Sequence, residues 1–75
     1  MEDTIAEIVR EVCSGVQMSQ ADYSRTLKDL GVDSLDVASI FLAIQERLGV
    51  RVPDPDIDRL TTVHAIAEYV SRARH

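Results

Sequence analysis

The sequence predicts an all-α domain, a small bundle of amphipathic helices. Apolar residues recur at helical rather than alternating spacing in three separate stretches, beginning near Thr4, Ser34 and Thr62. Hydrophobic residues make up 45% of the 75, yet there are only three aromatics and no Trp, a balance that suits aliphatic helix packing better than a sheet. The glycines and prolines fall between the periodic stretches, where chain breaks belong.

The first helix is expected within "EDTIAEIVREV". Ile5, Ile8, Val9 and Val12 form its apolar face, Thr4 and Glu7 have the spacing of a capping box, and Gly15 stops it just after Ser14. A stretch of nineteen residues then runs from Gly15 to Asp33. So long a connection is unusual in a small domain, and its apolar residues Val16, Met18, Leu27, Leu30 and Val32 predict that it is pinned to the core. The second helix is expected from Ser34 to Leu48, with Gly49 as its C-terminal stop. Stepping about 100° per residue places Val37, Ile40, Phe41, Ile44 and Leu48 on one face and Leu35, Ala38, Ser39, Leu42 and Glu46 on the other. The first face is the core, so Leu35 and Leu42 meet solvent.

The segment "VRVPDPDIDRL" is a linker with one short helix, from which Ile57 and Leu60 reach inward. Thr61 or Thr62 caps the last helix, whose Val63, Ile66, Ala67 and Val70 repeat at i, i+3, i+4 and i+7. Its end, "SRARH", is basic, as a helix C-terminus favours.

Thirteen acidic and eight basic residues leave a net charge of -5, which argues against nucleic acid or an anionic membrane as partner and for a basic protein. The single Cys13 cannot form an internal disulfide, and no apolar run is long enough for a signal peptide or a membrane span. A cytoplasmic monomer is expected. A chain this short encloses too little core for a deep active site with its supporting shell, so catalysis is not expected of it.

The candidate sites narrow quickly. Asp54, Asp56 and Asp58 have the spacing that opens a calcium loop, but the sixth position, where Gly is needed, is Arg59, and the twelfth, where Glu is needed, is Ala65. Cys13 with His64 offers a nucleophile and a base, though in separate helices and without an orienting third group. With only Cys13, His64 and His75 beside the carboxylates, a structural zinc site is not expected either. What remains is Ser34 at a helix start. Its bland reading is an N-cap, but Asp33 can cap as well, which leaves the serine hydroxyl free for another task. Below it lie exposed Leu35, Ala38 and Leu42. Around it, between Asp29 and Asp58, seven acids stand against Arg47 and Arg51. A small apolar patch in an acidic field suits basic partners that bind and leave.

"LGVDSLD", with its serine opening the second helix, resembles the phosphopantetheine attachment motif of the acyl carrier proteins, and "VPDPDIDRLTTVHAIAEYV" is similar to their third and fourth helices. The resemblance runs from about Thr4 to Tyr69. It implies a right-turning four-helix bundle with a long loop between helices one and two and a short third helix. It also implies a carrier. A phosphopantetheinyl transferase, with magnesium in its own site, would move the 4'-phosphopantetheine arm of coenzyme A onto Ser34, and the arm's thiol would hold acyl cargo as a thioester for loading enzymes, ketosynthases or other acyl-transferring enzymes. Leu35 and Asp36 would then be read by the transferase. Asp33, Ala38, Ser39, Leu42, Gln45, Glu46, Asp54, Asp56 and Asp58 would complete the partner surface. A cleft between helices two and three can shelter cargo, with Val37, Phe41, Val52 and Ile57 as candidate lining, although a plain core role is the stronger reading of those four.

Two positions depart from the family pattern. Carriers of primary fatty acid synthesis usually carry acids about one and three turns below the serine, where this chain has Ser39 and Gln45. The departure favours a dedicated pathway, polyketide, hybrid peptide–polyketide or another specialised acyl or aminoacyl assembly. The absence of linkers at either end favours a free-standing carrier over an excised domain. The alternatives are a peptidyl or aminoacyl carrier, a carrier of primary fatty acid synthesis, an adaptor bundle whose Ser34 is never modified, and an enzyme built on Cys13 and His64.

Overall fold

The computed structural model describes residues 1–74, so His75 lies outside the described residues. Among these residues four helices, α1 (Glu2–Val12), α2 (Ser34–Leu48), α3 (Asp54–Ile57) and α4 (Val63–Ala73), surround one apolar core, and a 3₁₀ turn, Gln20–Asp22, interrupts the long loop. Among the described residues there is no strand, and the all-α bundle expected from the sequence is what the chain forms. No described helix is long and apolar enough to cross a membrane.

Helix α2 begins and ends where local chemistry dictates. Asp33 is the N-cap, its carboxylate accepting from the Asp36 backbone N–H at 2.9 Å, and Gly49 closes the other end at φ 69°, a left-handed conformation that costs glycine little. The expected core face holds: Ile40, Phe41 and Ile44 are buried, while Val37 and Leu48 are half-buried. On the other face Leu35 is 79% and Leu42 56% exposed. Helix α4 is capped by Thr62, whose hydroxyl accepts from the Ala65 N–H at 3.0 Å, and it buries the expected Val63, Ile66, Ala67 and Val70.

Helix α1 corrects the sequence reading at both ends. The capping box of Thr4 and Glu7 does not form, because the helix already starts at Glu2 with Met1 as N-cap. Tertiary partners hold the added first turn. Asp3 accepts from the Tyr23 hydroxyl at 2.8 Å, and Glu2 meets His64 Nδ1 at 2.9 Å. The helix ends at Val12 rather than Ser14, and Gly15 is not its left-handed stop. Cys13 leaves the helix at φ -114°, ψ 78°, and a turn closed by the Val16 N–H on the Cys13 carbonyl follows.

The nineteen-residue loop is pinned as expected, by more than its apolar residues. Leu27 and Val32 are buried, Val16, Met18 and Leu30 are partly so, and Tyr23, absent from the expected set, joins the core. Thr26 and Thr62 form an isolated antiparallel bridge in which the Leu27 N–H donates to the Thr61 carbonyl at 2.8 Å, and the His64 N–H donates to the Tyr23 carbonyl at 3.0 Å. The loop is therefore stitched to the approach of α4. It then turns at Gly31, φ 93°, to deliver Asp33 to the start of α2.

The two faces of α2 separate stability from surface. Ile44→Ala should cost roughly 2 to 5 kcal/mol, since the side chain is fully buried and leaves a cavity. Leu42→Arg should change stability by less than about 1 kcal/mol, in the range of exposed substitutions. Chemical denaturation of both variants checks the ranking, and a larger loss for Leu42→Arg would reverse the assignment of faces.

Candidate functional site

Ser34 is the first residue inside α2, exposed, and its hydroxyl takes part in none of the side-chain hydrogen bonds found among the described residues. Capping falls to Asp33. The serine thus projects an unengaged Oγ from a helix N-terminus, where the backbone dipole and free N–H groups favour a negative group such as phosphate.

Beside it lies a groove of about 920 Å³. One wall is the start of α2, with Ser34, Val37 and Ala38; the second is the loop, with Leu27, Lys28 and Val32; the third is α3 and its exit, with Ile57, Asp58 and Leu60. Of the four residues considered as cleft lining, Val37 and Ile57 line it. Phe41 and Val52, 5% and 8% exposed, are core instead, because they turn toward the packed interior between the helices. The loop wall could not be read from sequence, since it depends on the bridge to Thr62. A hydroxyl at the rim of a groove, on a helix N-terminus, has space beside it and a favourable field for an attached anionic group.

The remaining surface candidates fall into groups. Asp33, Leu35, Ala38, Ser39, Leu42, Gln45 and Glu46 are exposed along α2, and Asp36 is half-buried near its start. Ser39 turns its hydroxyl back onto the Leu35 carbonyl at 3.2 Å, so it offers a partner little polar reach. Asp54 and Asp58 are exposed on α3 and its exit, on the groove side. Asp56 differs from them. It is half-buried and accepts a hydrogen bond from the Tyr69 hydroxyl at 3.0 Å. Among the described residues, no three His, Cys, Asp or Glu side chains converge to hold a metal ion.

Cys13 and His64 do not form a pair. Cys13 is 7% exposed at the end of α1; burial first, then the neighbouring Asp36 and Asp33 carboxylates, push its thiol up from the ordinary 9.0, which disfavours the thiolate a nucleophile needs. His64 is anchored to Glu2 at the other end of α1, about 16 Å away at the helical rise. It joins α4 to α1 through Glu2 and also lies 3.7 Å from Glu68.

Comparison with known proteins agrees with this geometry. The family model described as "Phosphopantetheine attachment site" matches residues 3–70. The curated acyl carrier protein of Wolinella succinogenes is 31% identical over 68 residues, covering 91% of this chain and 90% of the relative. That of Acidothermus cellulolyticus is 36% identical over 70 residues, covering 92% and 82%. The fold and site therefore define a domain built for covalent attachment of 4'-phosphopantetheine. The chain belongs to the acyl carrier protein family, and it is a carrier rather than an enzyme. Membership implies dealings with a phosphopantetheinyl transferase and with acyl-handling enzymes.

The His64 clasp has a defined pH dependence. The hydrogen bond to Glu2, then the charges of Glu2 and Glu68, raise the imidazole above its ordinary 6.5. A raised folded value means that the clasp stabilises fully below 6.5 and is lost as pH climbs through the folded value. His64→Gln should therefore destabilise more at about pH 5.5 than at about pH 9, and Glu2→Gln should bring the imidazole back toward 6.5. Denaturation at both pH values and an NMR titration of the ring check this, and a His64 titration below 6.5 would contradict it.

Proposed function

We propose that Ser34 is the attachment point of the arm, that residues 1–75 act as one carrier domain, and that this domain holds acyl intermediates for the enzymes of a dedicated biosynthetic pathway. The observation that supports the reading most is the division of labour between Asp33 and Ser34. Asp33 satisfies the helix start, with 2.9 Å to the Asp36 N–H, and so Ser34 is exposed without a structural duty. In the modification Ser34 Oγ gains a bond to phosphorus and loses its proton, and the nucleotide part of coenzyme A departs. The arm's terminal thiol supplies, when bound, the thioester on which cargo is carried. The N-terminus of α2 lies under the resulting phosphodiester and stabilises its charge. Leu35, Ala38 and Leu42 offer apolar contact, and Asp33, Asp36, Glu46, Asp54 and Asp58 attract basic partner surfaces.

Support for a dedicated pathway, polyketide assembly foremost, comes from Ser39 and Gln45. Both are uncharged, and the Ser39 hydroxyl is occupied by the Leu35 carbonyl at 3.2 Å, so at these two positions α2 lacks the charges that carriers of primary fatty acid synthesis usually present. A cytoplasmic monomer accords with the lone buried thiol and the net charge of -5.

Ser34→Ala should leave the chain folded, at a cost below about 1 kcal/mol because Asp33 does the capping, and should abolish modification. Intact-mass analysis after incubation with coenzyme A and a broad-specificity phosphopantetheinyl transferase reads the result; a variant that still gains the arm would place the site elsewhere. For the pathway, the double variant Ser39→Glu with Gln45→Glu should be loaded faster by a malonyl transferase of primary fatty acid synthesis, most of all at low ionic strength, since rim charges act on association. Loading rates that match the wild type at both low and high salt would remove the support for a dedicated pathway.

A further inference from the structure

The short helix α3 forms one wall of the groove, yet it has little to hold it. Four residues cannot sustain a helix alone, Pro53 at its N-cap makes no side-chain cap bond, and its apolar anchors Ile57 and Leu60 are only partly buried. The close helix-to-helix packing of the bundle is between α1 and α2 and between α1 and α4. Something else must fix where α3 sits. Asp54 and Asp58, four residues apart, share the face that lines the groove, whereas Asp56 lies about 200° from either around the helix and points away from it. There its carboxylate accepts from the hydroxyl of Tyr69, half-buried on α4, at 3.0 Å. The bond to a charged acceptor is of the stronger kind, and it raises the Tyr69 hydroxyl above its ordinary 10.0, as a donor to a carboxylate should behave.

We infer that Asp56 and Tyr69 are positioning residues, a latch between α3 and α4 that fixes the α3 wall of the groove and so sets how far cargo beside Ser34 is shielded from attack. The consequence for cargo rests on the attachment reading given above. The latch itself does not. It also separates Asp56 from Asp54 and Asp58, which remain open to partners while Asp56 is spent inside the fold.

Amide exchange by NMR on the unmodified chain tests the latch alone. Tyr69→Phe keeps the ring and removes only the hydroxyl. It should speed exchange of the amides of α3 and its exit, Ile57, Asp58 and Arg59, about tenfold, the weight of one hydrogen bond to a charged group, while amides in the middle of α1, α2 and α4 keep their wild-type rates. Asp56→Ala should match it, Asp56→Asn should recover most of the protection because the amide oxygen still accepts, and Tyr69→Phe with Asp56→Ala should add nothing further. Unchanged α3 exchange in Tyr69→Phe, or acceleration spread evenly over all four helices, would overturn the latch. For the cargo, wild type and Tyr69→Phe would be modified at Ser34, loaded with hexanoate and treated with hydroxylamine, which forms a bond from its nitrogen to the thioester carbon and releases the thiol. Faster release from Tyr69→Phe is expected, and equal rates would overturn the shielding. Failure of the wild type to gain the arm's mass would instead count against Ser34 and leave the exchange result to decide the latch.

Discussion

The backbone bond from the Leu27 N–H to the Thr61 carbonyl, 2.8 Å long, is the constraint on which the rest of the structure depends. Ordering a loop of nineteen residues costs about 1 to 2 kcal/mol of backbone entropy per residue, and apolar side chains scattered along it do not by themselves specify one path. The bridge of Thr26 with Thr62 does. With Tyr23 and Leu27 buried on either side of it, the loop is fixed against the start of α4, Gly31 turns the chain, and Asp33 arrives where it can cap α2. One wall of the groove, the position of Ser34 and the entry to α4 follow from this single crossing.

Helix α2 has to serve two masters. Its inner face contributes Ile40, Phe41 and Ile44 to the core, and its outer face keeps Leu35 and Leu42 in water, a small penalty that a domain with no partners would have no reason to retain. The acids around that face favour rapid encounter over tight binding, because exposed charges act on association and are screened by salt. A domain that hands intermediates from one enzyme to the next needs that combination. Tight complexes would stall the sequence.

How much of this was legible in the sequence depended on the range of the interaction involved. The bounds of α2 were readable to the residue, because Asp33 and Gly49 act within one turn of the helix they bound. The buried faces of α2 and α4 and the exposure of Ser34 were readable for the same reason, and the cap of α4 was narrowed to Thr61 or Thr62, of which Thr62 serves. The start of α1 was not: Glu2 and Asp3 are held by His64 and Tyr23, 62 and 20 residues away in the chain, and Thr4 with Glu7 imitates a local signal that those contacts override. The loop wall of the groove and the tie from Asp56 to Tyr69 were hidden likewise. In sequence, Asp56 is one of three alternating acids. Only the fold distinguishes it from its neighbours.

Burial of Cys13 carries a consequence for chemical selectivity. Its sulfur sits at the end of α1, near the carboxylates of Asp33 and Asp36. A thioester exchanges readily with any accessible thiolate, and a second competent sulfur on the same small domain would draw cargo onto itself in a reaction no partner enzyme controls. At 7% exposure, with its proton held by burial and by neighbouring negative charge, Cys13 is a poor acceptor. The packing that closes the end of α1 thus also disfavours transfer of cargo onto the domain's own sulfur.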